Sequence, residues 1–372
     1  MKYYIIAGEA SGDLHASNLI KALSKRDPDA RFRVWGGDMM RDAGAVVVKH
    51  INELAFMGFV EVARNIRTIF NNISFCKKDI LDYRPDVVIF IDYPGFNLRI
   101  AEFCRKAGLR TVYYISPQIW AWHQSRVKKI KRDIDKMLVI LPFEQEFYQK
   151  HDFEVDFVGH PLLDALNDRN VFASQAEFRQ RNALDDREII ALLPGSRKQE
   201  ISRMLAPMVA TAAHFPQYQF VIAATSAHSP DYYRNLIDDA NIPIVYGQTY
   251  DLLRNAVAAL VTSGTATLET ALIGTPQLVC YKAGFLSYQI ARRLVDIKYI
   301  SLVNLIMDKE VVKELIQQDF NEGQLINGLK NLTQNSKIRK NILENYAILQ
   351  HKLGGSGASE NAANIIAGFL QH

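Results

Sequence analysis

Two stretches in the second half of the chain carry residue types that bind phosphate: Ala191–Lys198, ALLPGSRK, and Leu260–Glu269, LVTSGTATLE. In each, an apolar run stops at Gly with Ser, Arg or Thr, and a helix-like pattern follows. A parallel strand delivers the chain in this way to a helix N-terminus, where unpaired backbone N–H groups and the positive end of the helix dipole attract anions. Gly195 and Gly264 let the backbone approach closely, with Ser196, Ser263 and Thr265 beside them. Arg197 can grip a phosphate with two donors, and Glu269 can accept from a ribose hydroxyl. Two such turns in one half point to a nucleotide diphosphate, although Gly/Ser-rich strand-to-helix turns also occur in α/β proteins that bind none.

The first half offers different chemistry. Gly8-Glu9-Ala10-Ser11-Gly12-Asp13 is a Gly-rich turn after an apolar run, but it is not G-x-G-x-x-G, and its two carboxylates would repel a pyrophosphate. It suits the close approach of a sugar, or else it is a turn in which Ser11 or Asp13 caps a helix. Asp92 ends the apolar run DVVIFID and precedes Tyr93-Pro94-Gly95-Phe96-Asn97. Such a carboxylate either caps the next helix or faces a cleft as a general base, its pKa raised by partial desolvation. Trp120 and Trp122, in SPQIWAWH, form either a core plug or a wall for an apolar or sugar ligand. His160, in FVGHP, is a ligand-facing group or a hinge hydrogen bond. Ala55–Val62 gathers Phe56, Met57 and Phe59 around Gly58. It reads as a buried helix start, or, if exposed, as a contact for acyl chains or a membrane surface.

Other chemistries find no footing. The Walker pattern, HExxH and GxSxG are absent, and the D-x-D matches at Asp27–Asp29 and Asp133–Asp135 follow no apolar strand, so neither a metal nor a cofactor is expected. A net charge of +4 lends no support to nucleic-acid binding. Locally, Arg126–Lys136 sets six basic residues against two acidic ones, which is a solvated helix face or a site for anionic lipid or substrate. Three widely spaced cysteines, Cys76, Cys104 and Cys280, read as thiols of a reducing compartment. The apolar run before Glu9 is too short for a signal peptide, and no stretch approaches the roughly 20 apolar residues of a membrane span. A cytoplasmic protein is expected.

These loops need strands and helices to hold them. With 372 residues, 48% hydrophobic and 23% charged, the chain suits two globular domains. Short β-branched or aromatic runs alternate with helical patterns, which predicts parallel sheets covered by helices. Strands are predicted at Tyr3–Ala7, Phe32–Trp35, Asp86–Ile91, Thr111–Ile115, Met137–Ile140 and Val155–Val158. The second half gives Ile189–Leu193, Phe220–Ala223, Ile244–Tyr246, Ala259–Val261 and Gln277–Cys280. Helical spacing covers Leu14–Lys25 and Val60–Leu81, and Pro161–Asp186 reads as the linker. The expected architecture is α/β, two facing Rossmann-like domains: residues 1–168, with a C-terminal helix in 350–372 packing back on them, and 169–349.

GEASGD, the Ile91–Asn97 loop, SPQIWAW, FVGHP, LLPGSR, SGTATLE and SLVNL at Ser301–Leu305 occur in that order, and with them the chain closely resembles the lipid-A-disaccharide synthases. The resemblance spans nearly the whole chain and implies a GT-B glycosyltransferase fold. It implies transfer of 2,3-diacylglucosamine from UDP-2,3-diacylglucosamine to 2,3-diacylglucosamine 1-phosphate (lipid X), giving a β-1′,6-linked disaccharide and UDP; the alternatives are another GT-B enzyme such as a UDP-sugar 2-epimerase, or a non-catalytic sugar-nucleotide-binding protein. Asp92 matches the proposed base of the family, with Glu9 and His160 as rival bases. Gly195, Ser196, Arg197, Ser263, Gly264 and Thr265 would hold the diphosphate, Glu269 the ribose, and Asn304 the nucleotide end. Glu9, Ser11, Gly12, Trp120, Trp122 and His160 would line the acceptor and sugar side, and Phe56, Met57 and Phe59 would touch acyl chains or membrane. At Gly95 some relatives carry a second Asp. The resemblance further implies peripheral association with the inner face of the cytoplasmic membrane and a homodimer.

Overall fold

The apolar runs become parallel strands, because a run buried on both faces needs helices above and below it. The computed structural model describes residues 1–53, 66–122, 124–167, 173–225, 227–237, 241–284 and 298–371. The chain divides into two compact units, Met1–Asp168 with Leu353–His372, and Arg169–Lys352.

In the first unit the strands are β1 (Lys2–Ala7), β2 (Arg31–Gly36), β3 (Val46–His50), β4 (Val87–Ile91), β5 (Thr111–Tyr114), β6 (Lys136–Val139) and β7 (Asp156–Phe157). They form one parallel sheet of order β3-β2-β1-β4-β5-β6-β7. Connectivity runs outward from β1 on one side and from β4 on the other, so the strand order reverses between them, with Ala7 paired to Ile91. Alternate side chains of β1 feed two cores: Tyr3, Ile5 and Ala7 on one face, Tyr4 and Ile6 on the other. The first core takes Ala16, Leu19, Ile20 and Leu23 of helix Ala10–Arg26, and Ala362, Ala363, Ile366 and Leu370 of helix Ala358–Gln371. The second takes helices Ile66–Tyr83 and Pro94–Lys106.

The second unit holds β8 (Glu188–Leu193), β9 (Tyr218–Ala224), β10 (Ile244–Tyr246), β11 (Ala256–Thr262), β12 (Gln277–Tyr281) and β13 (Glu314–Ile316), again parallel, in the order β10-β9-β8-β11-β12-β13. Here the reversal falls between β8 and β11, with Leu193 paired to Val261.

Two strands escape the sequence reading. β3 is a half-exposed edge strand without a clean alternation, and β13 has three residues. The expected linker 161–186 contains the division between the two units and is partly helical. It contains Pro161–Asn167 and Gln175–Arg181, the latter started by a reciprocal capping box of Ser174 and Glu177. All three cysteines are buried free thiols. Among the described residues, no helix is long and apolar enough to cross a membrane. The Phe56, Met57 and Phe59 segment lies outside the described residues.

Candidate functional site

In open parallel sheets, ligands bind beyond the carboxyl ends of the strands, where the strand order reverses. In the first unit, β1 and β4 flank that point, and they run into the GEASGD and Asp92 loops. In the second unit, β8 and β11 flank it and run into PGSR and SGTAT. Sheet topology therefore brings the motifs together in pairs within each unit.

β4 is fully buried, and the chain then turns sharply. Asp92 and Tyr93 both adopt left-handed backbone, with φ of 42° and 50°, and Ile115 after β5 does the same at 66°. Such conformations cost about 1–3 kcal/mol each and persist only where neighbours hold them. Here the Asp92 carbonyl accepts from Asn97 Nδ2 (2.7 Å) and the Tyr113 hydroxyl (2.5 Å). Asn97 is fully buried and also donates to the Ile91 and Ile6 carbonyls (3.3 and 3.4 Å), tying β4 to β1. Pro94 then opens the next helix with its φ already suited to it. Gly8 fits against this turn because it has no side chain: a Cβ there would lie 2.3 Å from the Tyr93 ring.

The Asp92 carboxyl is pushed up to about 6, first by burial and then by the negative charge of Glu9, against a hydrogen bond from the Tyr93 N–H. Burial and Glu9 raise the Tyr93 phenol in the same order. Glu9 itself is exposed where helix Ala10–Arg26 begins, with exposed Ser11 and buried Gly12 in its first turn. Asp13 has another task. It accepts from the N–H groups of Gly37 (2.7 Å), Met39 (3.1 Å) and Met40 (3.2 Å), capping the helix Asp38–Asp42. Gly95 is exposed and a Cβ there would meet nothing within 4 Å, so a second acid has room at that position.

Trp120 stands half-buried on the short helix Ile119–Trp122, its ring edge-on to Phe143 at 4.9 Å. Beneath it, burial pushes Glu144 up to about 7, opposed by hydrogen bonds from the N–H groups of Leu141 (2.9 Å) and Ile140 (3.2 Å) and by Trp120 and Ser116. Neither sequence position nor motif had singled out Glu144. The Trp122 side chain and the whole of His123 lie outside the described residues. His160 departs from the expectation of a base. It is 3% exposed, its Nδ1 accepts from the Leu162 N–H (3.2 Å), and burial followed by His15 pulls it down to about 3. Its backbone N–H donates to the Leu353 carbonyl (3.1 Å), so this histidine serves the junction with the C-terminal segment.

In the second unit, Gly195 takes φ of 103°, and the turn opens the helix Lys198–Ala210 with Ser196 and Arg197 exposed. After β11, the Ser263 N–H donates to the Cys280 carbonyl (3.0 Å), and its hydroxyl donates to Ile300 (2.9 Å). Gly264 and Thr265 are exposed where helix Thr265–Ile273 begins. Glu269 is half-buried and accepts from the Tyr250 hydroxyl (2.8 Å). Asn304 corrects the sequence reading. It is wholly buried; its Nδ2 donates to the Val312 carbonyl (2.8 Å) and Glu314 (2.9 Å), and its Oδ1 accepts from the N–H groups of Val311 (2.8 Å) and Val312 (3.0 Å). A side-chain amide has two donors and two main acceptor sites, so Asn304 is a strut with nothing left for a nucleotide.

Three of the four D-x-D carboxylates are engaged within the chain: Asp27 holds the N-terminal ammonium, Asp133 pairs with Arg132, and Asp135 pairs with Arg105. Among the described residues, no group of three or more His, Cys, Asp or Glu is placed to hold a metal ion.

Two Rossmann-like units with these loops define the GT-B class of glycosyltransferases and related epimerases. The fold is similar to the UDP-GlcNAc 2-epimerase of Neisseria meningitidis solved with UDP-GlcNAc, at a TM-score of 0.71 and 14% identity, covering 100% of both chains. It is also similar to a calicheamicin glycosyltransferase, at a TM-score of 0.61 and 15% identity, covering 100% of this chain and 98% of the other. A family profile described as lipid-A-disaccharide synthetase matches residues 3–366. The lipid-A-disaccharide synthase of Syntrophus aciditrophicus is 40% identical over 96% of this chain and 95% of its own length. That of Trichlorobacter lovleyi is 38% identical, over 99% and 97% respectively. The chain belongs to the lipid-A-disaccharide synthase family and is a glycosyltransferase. An epimerase reading has only distant fold similarity behind it.

Proposed function

We propose that this enzyme joins UDP-2,3-diacylglucosamine to lipid X at the acceptor's 6-hydroxyl. The ionised Asp92 carboxylate takes the hydroxyl proton while the 6-oxygen attacks the anomeric carbon. The bond from that carbon to the diphosphate oxygen breaks, and UDP departs with the electron pair. Backbone donors of the PGSR and SGTAT turns, with Arg197, take up the charge that develops on the leaving group. Glu269 receives the ribose. The first unit binds acceptor and sugar through Glu9, Ser11, Gly12 and Trp120, and the second binds UDP. The observation that carries this reading is the strained Asp92 turn at the strand-order reversal, with a carboxyl raised toward neutral pH. That is where a general base is most effective.

We extend the proposal to the membrane. The apolar residues Phe56, Met57 and Phe59 and the exposed Lys128 and Lys129 suit acyl chains and anionic headgroups at the inner face of the cytoplasmic membrane. A homodimer is part of the same reading, checked by the mass of the purified protein in solution.

Purified protein given both lipid substrates without added metal is expected to release UDP and form the disaccharide. Binding of UDP with no release would mark a sugar-nucleotide sensor and overturn the assignment. Failure to float with anionic vesicles would remove the membrane element and favour a soluble acceptor. The pH profile is a separate check on the base. kcat/KM should fall as pH drops below about 6, because only ionised Asp92 can accept a proton. In Glu9→Gln the like charge is gone, Asp92 ionises more readily, and this acid limb should move to lower pH. An unmoved limb rejects the coupling, and a loss of activity as deep as that of an Asp92 variant would make Glu9 the base.

A further inference from the structure

The donors assigned to the diphosphate at the PGSR turn are engaged by a carboxylate of the chain itself. The N–H groups of Ser196 and Arg197 donate to Glu200 Oε2 (3.2 and 3.3 Å), and Arg197 Nη1 donates to Glu200 Oε1 (3.2 Å). Gly195 makes the space, since a Cβ there would lie 2.7 Å from Glu200 Oε2. The other side of the turn is held separately. His228 Nε2 donates to the Ser196 carbonyl (2.9 Å), and the Tyr232 hydroxyl donates to the Lys198 carbonyl (3.0 Å). The Ser196 carbonyl and the Arg197 N–H belong to one trans peptide and point in opposite directions. Holding the carbonyl therefore aims the N–H at Glu200. The backbone donors are fixed, while the carboxylate that meets them sits on a rotatable side chain, 27% exposed.

We propose that Glu200 is an internal stand-in for the diphosphate. Its carboxylate covers the anion-binding donors and neutralises Arg197 in the nucleotide-free enzyme, and a diphosphate must displace it. Glu200 thereby sets nucleotide affinity and helps expel UDP after transfer. The inference rests on the nucleotide reading of the PGSR turn. It differs from a plain capping box, in which the acid at the third helical position only steadies the helix. A cap alone gives Glu200→Gln a small loss of stability and no gain in binding.

The test is calorimetric titration of the full-length protein with UDP and with uridine. Glu200→Gln keeps the shape of the side chain and removes its charge, so UDP should bind about 10-fold tighter, the scale of one charge-assisted contact no longer contested. Its dissociation should slow to match, and uridine, which has no phosphate, should bind as before. Glu200→Asp retains the charge on a stem too short to reach the turn, and should show a smaller gain. Unchanged or weaker UDP binding in folded Glu200→Gln and Glu200→Asp overturns the proposal, as does an equal gain for uridine. Arg197→Gln separates the two readings. It should weaken UDP about 10-fold or more, and if it does not, the nucleotide reading of the turn fails first.

Discussion

Asp92→Asn is expected to lower kcat by about 10²- to 10⁴-fold while UDP binds as in the parent. The amide is the same size, so the turn clamped by Asn97 and Tyr113 survives, and only the proton acceptor is lost. Stability should move the other way. The carboxyl is raised from its ordinary 3.8 to about 6, so the fold prefers it protonated. That preference stabilises the parent in full below about pH 4 and is lost as pH climbs to about 6. Above this window the parent carries a partly desolvated charge that the variant lacks. Asp92→Asn should therefore melt higher than the parent at pH 7–8, with the gap closing in acid. Such an exchange of stability for activity is typical of a buried functional acid. A folded Asp92→Asn enzyme turning over at near-parental rate would remove Asp92 from the chemistry.

Gly8→Ala should be nearly as damaging without touching an ionisable group. The new methyl would lie 2.3–2.5 Å from three carbons of the Tyr93 ring. That ring stacks on Phe96 at 5.6 Å and so has little room to retreat. The remaining way out is a shift of the left-handed Asp92–Tyr93 turn. Overpacking of this kind costs about 1–3 kcal/mol. A displacement near 1 Å at the reacting group costs about 100-fold in rate. Denaturant unfolding and single-turnover kinetics read the two effects separately. Gly95→Ala is the matched control, because a Cβ there meets nothing, and it should stay close to the parent in both. A Gly8→Ala enzyme within about threefold of the parental rate would show that the packing of Tyr93 does not position the base.

How much of this was readable beforehand depends on whether a residue's role is local. Strands buried on both faces announce themselves as unbroken apolar runs, and β4 and β8 did so. Edge strand β3 and short β13 bury too little to leave that mark. The PGSR and SGTAT segments were legible as strand-to-helix turns because Gly and Ser there end unbroken apolar runs. Asn97 was visible only as a letter in a motif, because its carbonyl partners come from β1 and β4, brought together by sheet register. Asn304 was misread for the opposite reason: it is a polar residue in a recognisable motif whose side chain braces the chain itself, whereas His160 takes the hinge alternative that its position left open. Glu200 was passed over because three residues beyond the motif it looks like an ordinary helix acid. Strand order, which pairs the loops, is written in no single segment.

The packing of helix Ala358–Gln371 against helix Ala10–Arg26 bears on the order in which the protein can be made. Lys25 and Glu360 pair at 3.0 Å across 335 positions of sequence. At about 5–20 residues per second, a ribosome needs roughly 15–70 s to cover that distance. The segment Arg169–Lys352 is continuous and emerges in full before the helix that completes the unit begun at residue 1. Through that interval, apolar surface destined for Ala362, Ala363 and Ile366 stays uncovered on the nascent chain. The unit that starts first is thus the one that finishes last, and the apolar face of its early helix has no partner until the last helix has emerged.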